Sequence, residues 1–357
     1  MALSPNYGWA EPDNSSLVKN GAQDIRALGD AIDTSLWNVG YGQAGKNKII
    51  NGDFSIWQRG TSFTVTTATF AADRFFHNKD GNGTVTASQQ AFTAGSAPVA
   101  GYESQYFLQI ATSSVGTSTY HQTQQYIEDV RTFAGQTITV SFWAKLSAGT
   151  VGSTYFRINQ NFGSGGSASV TGASNTFTPT GSWQRFTATV TLASIAGKTI
   201  GTGSQIAFDL VVPFTATNTL QIWGVQVEYG SKATPFETAT GTIQGELAAC
   251  QRYYQRFDFD TDGLTGFFGN AYSTTAAALI RDLAVPLRTT QTTLDYSNIR
   301  LYDFVNNYTI TSLVGWASAE NHTAAVLATG ASGLTQYRVY YGANNGSAGY
   351  IAIGAEL

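Results

Sequence analysis

QTITVSFWAKL, Gln136–Leu146, alternates strictly: Ile138, Val140, Phe142 and Ala144 fall on one side of an extended chain, Thr139, Ser141, Trp143 and Lys145 on the other. Period-two patterning of this kind predicts a half-buried β-strand. The pattern recurs in GTVTASQQAF, YFLQIATS, STYFRINQNF, WQRFTATVTL, SQIAFDLVV and TLQIWGVQVEYG, with Gly, Ser, Asn and Thr marking the turns between them. One apolar face per strand, repeated along the chain, predicts two antiparallel sheets packed face to face. A composition break follows near ATPFETATGTIQGELAACQRYYQRF, long enough for a turn or two of helix. Beyond it, AALIRDLAVPL, NIRLYDFV, YTITSLVGW, YRVYYGAN and AGYIAIGAEL predict a second, smaller sandwich. The fold class expected is mainly β, with a short N-terminal helix followed by two antiparallel β-sandwich domains. The divisions are 1–40, 48–237 and 256–357.

Composition narrows the function classes. Of 357 residues only 12% are charged, while 42% are hydrophobic and 13% aromatic, and the net charge is −4. A disordered acidic tail needs few aromatics and high charge, so it is excluded. A nucleic-acid partner is not expected, because Lys and Arg total 19 against 23 acids and form no basic run. The single cysteine, Cys250, precludes an intrachain disulfide, so stability must come from packing or assembly. Three histidines, His77, His121 and His322, stand too far apart in sequence for a zinc or iron site of ordinary spacing. The start, MALSPNYGWAEPDN, has no basic or apolar leader region, and no apolar run approaches about 18 residues. The expectation is a chain made in the cytoplasm, with no membrane insertion.

One segment has helical periodicity. In SSLVKNGAQDIRALGDAIDTSLW, Val18, Ile25 and Ile32 recur every seventh residue, with Leu28 and Leu36 beside the same stripe and Ser15 or Ser16 as N-cap. The stripe is narrow and Gly21 and Gly29 weaken an isolated helix. It therefore needs a partner, either the following domain or further copies of itself.

Several motifs carry a family resemblance. NGDFSIWQRGTSF (Asn51–Phe63), AADRFF (Ala71–Phe76), SFWAKL (Ser141–Leu146), SWQRFTATV (Ser182–Val190), IWGVQVEYGSKATPFE (Ile222–Glu237) and CQRYYQ (Cys250–Gln255) together resemble phage tail-fibre or receptor-binding proteins. In that family a carbohydrate-binding-module-like jelly roll precedes a C-terminal β-domain, and both sandwiches here are expected to be jelly-roll-like. The leader YGWAEPDNSSLVKNGAQDIRALGDAID resembles a virion-attaching segment, and the terminal GAEL the end of a fibre tip. The resemblance runs from about residue 7 to 256; beyond that only position and β character match. It implies a virion protein that docks to baseplate or tail proteins through its N-terminus and binds a host surface glycan. It also implies a homotrimer, joined through Val18, Ile25, Leu28, Ile32 and Leu36, although the sequence alone equally allows a dimer.

The motifs themselves read as structural. Trp57, Phe76, Trp143 and Trp223 are expected as core or inter-sheet fillers. Asp73, Arg74 and Glu228 are expected to pair, to cap strand ends or to hold a structural cation. DFDTDG (Asp258–Gly263) places Asp258, Asp260 and Asp262 like the opening of a calcium loop, but position twelve is Gly269 rather than Glu. Calcium is the only cofactor considered. No nucleophile elbow, HExxH or phosphate loop is present. Carboxylate pairs such as Asp209 with Glu228, or Glu103 with Glu128, are not singled out as a hydrolytic dyad, so no enzymatic activity is expected. Sugar binding asks for aromatic faces beside amides and hydroxyls. Candidates are Tyr102, Asn159 and Asn161, and, in the C-terminal domain, Asn306, Asn307, Tyr308, Tyr340, Tyr341, Asn344 and Asn345. Two other readings stay open: a structural connector or decoration subunit without host contact, and a glycan-degrading tail protein.

Overall fold

The computed structural model describes residues 2–4, 9–11, 17–39, 45–66, 68–99, 102–260, 263–316 and 320–357. After a 3-10 turn at Val18–Asn20, helix α1 spans Gly21–Val39. The proposed N-cap serines lie outside the described residues. Among those residues no helix is long and apolar enough to cross a membrane.

The alternating segments form two six-stranded antiparallel sheets. The front sheet runs in the order Asn175–Thr176, Tyr155–Asn161, Gln205–Pro213, Tyr120–Glu128, Phe76–Lys79, Thr69–Phe70. The back sheet runs Gln184–Thr191, Thr137–Gly149, Asn218–Tyr229, Tyr106–Ser114, Thr84–Ala91, Ser62–Thr64. Between them lies the core. Leu108, Val140, Phe142 and Ile222 come from the back sheet and Phe156, Ile158, Phe208 and Leu210 from the front. Phe142 meets Phe156 edge to face at 5.1 Å, the arrangement aromatic quadrupoles favour.

The back sheet departs from the simple alternating expectation. Thr139, Ser141 and Trp143, on the side opposite the apolar face, are buried too. Trp143, Trp223, Phe107 and Phe236 form a second apolar cluster, with Phe92, Tyr102 and Trp183 packed against it. Phe92, Tyr102 and Phe236 come from the chain flanking the strands, which folds over the sheet. The Trp223 indole lies 5.2 Å from Trp143, tilted by 58°, and donates to Ser104 Oγ at 2.7 Å. These two tryptophans are thus buried, but beyond the back sheet rather than between the sheets. Trp57 is half-buried against the main core. Phe76 corrects the expectation: it lies on the outer side of the front sheet, against Phe70 and Tyr126, because the inner position of its strand belongs to His77.

In the C-terminal region a three-stranded sheet (Tyr254–Phe259, Gly349–Gly354, Thr293–Ser297) faces a seven-stranded one. The latter runs Asn307–Thr309, Ile299–Tyr302, Val339–Asn344, Leu264–Asn270, Ala276–Asp282, Thr323–Thr329, Ser312–Gly315. Ile351 and Ile353 pack against Leu279, Leu301, Val326 and Tyr340 in its core. Helix α2, Ile243–Gln251, capped by Thr242 Oγ1 accepting from Gly245 N, joins the two regions.

Three of the quoted motifs, NGDFSIWQRGTSF, AADRFF and CQRYYQ, converge at this junction. Arg59 of WQRG stacks 3.6 Å from the Tyr254 ring centre and pairs with Glu356 at 2.8 Å. Arg74 of ADRFF stacks 3.3 Å from Tyr253 and pairs with the same carboxylate. Asp73 therefore does not pair with its neighbour. It accepts from Gln58 N at 3.0 Å with Arg59 3.8 Å away, and burial pushes its carboxyl up to about 6. Arg252 and Tyr253 close on Glu128 at 2.9 and 2.8 Å. These three motifs form a clasp that fixes one region on the other, which is a structural role, while SFWAKL, SWQRFTATV and IWGVQVEYGSKATPFE supply the tryptophan cluster of the back sheet.

Candidate functional site

Strand pairing sets the outer side of the front sheet. Tyr155 lies opposite Val211, Arg157 opposite Asp209 and Asn159 opposite Ala207. Asp209 in turn lies opposite Gln124, Val211 opposite Gln122 and Ala207 opposite Tyr126. Phe76 and Asn78 continue the rows beyond Gln124 and Gln122. Side chains two residues apart share a face, so Tyr155, Arg157 and Asn159 stand beside Tyr120, Gln122, Gln124 and Tyr126. On this side the middle strand brings Ala207, Val211 and Pro213 beside Asp209, and the strands flanking it bring amides, one guanidinium and tyrosines.

Asp209 is the hub of that face. It is 1% exposed although it points away from the core, because its neighbours wrap it. Gln124 Nε2 donates to Oδ1 at 2.5 Å, Arg157 Nε to Oδ2 at 3.2 Å, and Asn159 Nδ2 to the same oxygen. Burial raises its carboxyl above the usual range, while the bonds from Gln124 and Arg157 oppose the rise. The carboxylate thereby holds three side chains in fixed orientations. Asn159 is further tied by its Oδ1, which accepts from Gly172 N at 3.1 Å, and Asn78 donates to Gln124 Oε1 at 3.2 Å.

At one end of these rows the sheet opens into a hollow of about 380 Å³ lined by Thr119, Tyr120, Gln122, Tyr155, Arg157, Val211 and Pro213. The Arg157 guanidinium lies 5.6 Å from the Tyr155 ring centre. Two aromatic rings, an amide, a hydroxyl and a guanidinium held by a buried acid therefore border one hollow. Such a set offers apolar contact to C–H groups and directed bonds to hydroxyls.

The sequence-derived candidates divide. Asn159 belongs to this face as an organiser. Asn161 is exposed, but its Oδ1 accepts from Gly163 N at 2.9 Å and shapes a turn. Tyr102 packs against Trp223 at 5.5 Å and borders a different hollow, with Asp53, Glu103 and Glu246. Asn306, Asn307 and Asn345 are exposed at loop ends, and Tyr308 donates to Asp303 Oδ2 at 3.0 Å. Tyr341 lies on the outer side of the seven-stranded sheet against Phe268 and Phe304. Tyr340 and Asn344 are corrections: both are buried, because inner positions of the same strand face the C-terminal core. Val18 and Ile25 are exposed and Leu28 and Ile32 half-buried; the Leu36 side chain lies outside the described residues.

Asp258 sits in a strand, paired with Arg256 at 2.7 Å, and Asp262 lies outside the described residues. Among the described residues no group of three or more His, Cys, Asp or Glu is gathered to hold a metal. Asp209 and Glu228 project from the outward sides of opposite sheets, with the core between them. Glu128 is engaged in the clasp. Arg157, Gln124, Gln122, Tyr120 and Tyr155 were absent from the sequence-derived set. Their signal was present in the polar positions of two strands, Tyr-x-Arg-x-Asn and Tyr-x-Gln-x-Gln-x-Tyr.

No family model matches the chain. No curated protein matches it. Solved structures of similar fold include the enzymatically active domain of tailspike protein 4 of bacteriophage CBA120, at 14% identity and a TM-score of 0.34 over 52% of this chain. The chain spans 22% of that tailspike chain. Others are the CBM22-1 xylan-binding domain of Paenibacillus barcinonensis Xyn10C (11% identity, TM-score 0.32, 54% of this chain and 99% of that one) and a family 11 carbohydrate-binding module of Clostridium thermocellum (11%, 0.30, 48% and 98%). At such identities and scores, what the face binds follows from its own side chains.

Proposed function

We propose that the chain is a non-enzymatic subunit of a phage tail fibre or receptor-binding protein, which attaches the virion to the host cell by binding a surface glycan. The observation that carries this reading is the hollow bordered by Tyr120, Tyr155, Arg157, Gln122 and Thr119, with Arg157 anchored on buried Asp209. A pyranose presents a C–H face to a tyrosine and its hydroxyls to the guanidinium and amide. The low charge of the chain fits a neutral or mixed saccharide better than electrostatic capture. Weak single sites are offset by several copies acting together, consistent with a homotrimer joined along α1. In this reading the N-terminal segment meets baseplate or tail proteins, and the chain is made in the host cytoplasm and carried in the virion.

Binding without cutting is supported by the state of Asp209. Its oxygens are engaged by Gln124, Arg157 and Asn159, so it is placed as an anchor rather than as a proton donor with a second acid across a cleft. A glycan array tests the proposal. Wild type retains at least one saccharide class, Arg157→Ala loses it with the fold intact, and incubation releases no new reducing ends. Absence of any saccharide binding, or equal binding by Arg157→Ala, contradicts the assignment.

A further inference from the structure

The seven-stranded C-terminal sheet is apolar on both sides. Its inner side packs on the three-stranded sheet. On its outer side strand register draws a continuous row: Tyr302 opposite Tyr341, Tyr341 opposite Phe268, Phe268 opposite Ile280, and Ile280 opposite Ala325. A second row sets Ala278 opposite Leu327 and Leu327 opposite Val314. Phe304 closes on Tyr341 at 4.8 Å and Tyr272 on Trp316 at 5.7 Å. A hollow of about 590 Å³ lies among Phe268, Tyr272, Ala278, Ile280, Val339 and Tyr341, and no acid or base lines it. Yet Phe268 is 50% exposed, Phe304 59% and Ile280 47%. An antiparallel sheet with one solvated side is expected to be polar there.

This is a poor saccharide platform. The rings of Tyr302 and Phe304 meet at 61°, and those of Phe304 and Tyr341 at 64°, so they offer no flat surface. Among the residues bordering the hollow, Asn270 alone brings an amide.

We propose that a second copy of this chain covers this face. Aromatic side chains bury roughly 150–250 Å² each, so the half-exposed aromatics with Ile280, Val314 and Val339 present several hundred Å², approaching the ~800 Å² per partner of a stable interface. An uncharged centre meets its own copy without repulsion. The rim adds complementarity. Arg300 shares the side of Tyr302, and Asp282 that of Ile280, so two strands of this face with two others between them carry opposite charges. Two-fold, face-to-face packing brings the Arg300 strand of one copy over the Asp282 strand of the other. The surface is separate from the α1 stripe, and its assignment does not depend on the glycan reading.

Sedimentation velocity on the full chain tests it. Wild type is expected to sediment as an oligomer at micromolar concentration. Phe268→Asp/Ile280→Asp is expected to shift to a smaller species with its circular dichroism unchanged. Should that variant fail to fold, the variant Arg300→Glu decides: weakened assembly supports the proposal and unchanged assembly overturns it. A monomeric wild type overturns it. So does an oligomer that survives Phe268→Asp/Ile280→Asp but is dissociated by Val18→Asp/Ile25→Asp. Saccharide binding is read in a separate assay, so failure of either proposal leaves the other standing.

Discussion

The outer sides of the front sheet and of the seven-stranded sheet are built on the same scaffold, antiparallel strands over an apolar core, and carry opposite chemistry. On the first, Asp209 gathers Gln124, Arg157 and Asn159 beside two tyrosines. On the second, Phe268, Ile280, Tyr341 and Phe304 gather without a charged group among the residues lining the hollow. A sheet's solvent side is cheap to leave as Thr, Ser and Lys, so each departure implies an occupant. Fixed donors suit hydroxyl-rich ligands, whereas an uncharged apolar face suits another protein surface.

The largest expected effect falls on the junction that holds these two faces in one body. Arg74 is nearly buried and, among the described residues, takes its only acid from Glu356, which Arg59 shares, so removing the carboxylate leaves the Arg74 guanidinium uncompensated. Glu356→Ala is expected to cost about 3–5 kcal/mol in urea unfolding, with the single transition separating into two. An unchanged midpoint would show that the regions are held otherwise.

Acid distinguishes the regions next. His77 and His121 lie in the sandwich core with ring centres 5.5 Å apart. Burial lowers His77 to about 3 and His121 well below its usual 6.5. Both bind fewer protons folded than unfolded, so their contribution is complete above pH 6.5 and declines as pH falls below it. With both neutral in the fold, roughly 3 kcal/mol is lost by pH 5.5. The C-terminal region has only His322, which is exposed. Thermal melts from pH 8 to 5 should therefore destabilise the sandwich, and His77→Leu/His121→Leu should flatten that dependence. A melting temperature equally acid-sensitive in the double variant would point elsewhere.

Smaller effects sharpen the front face. Arg157→Ala should weaken saccharide binding about tenfold or more, since hydrogen bonds to charged groups are worth roughly 1.5–3 kcal/mol. Tyr155→Ala should cost only a few-fold, about 1 kcal/mol of aromatic contact. Asn307→Ala, in the C-terminal sheet, should leave the same titration unchanged.

Much of the architecture was legible because apolar alternation is a strong signal: most of the quoted segments became strands. Tyr120–Glu128 escaped notice because its inward positions include His121, Thr123 and Gln125, which blur the alternation. Thr323–Thr329 reads weakly because its inward positions are mostly small, Ala324 and Ala328 beside Val326. The site was harder to read. Asn159 was found from composition, but Asp209 carries meaning only once pairing sets it between Arg157 and Gln124, residues far away in sequence. Tyr340 and Asn344 misled because a Tyr-rich strand beside a turn looks alike whichever face is inward. The motifs that carry the resemblance were the plainest signal of all, and they mark the clasp and the tryptophan cluster rather than a ligand.

The most direct test is a crystal structure of the chain with the saccharide that a glycan array selects. The account predicts a sugar ring in the hollow between Tyr120 and Tyr155, with a hydroxyl bonded to Arg157, and Asp209 still held by Gln124 and Asn159. A saccharide seated instead on the seven-stranded sheet, or in the hollow beside Tyr102 and Glu246, would contradict it.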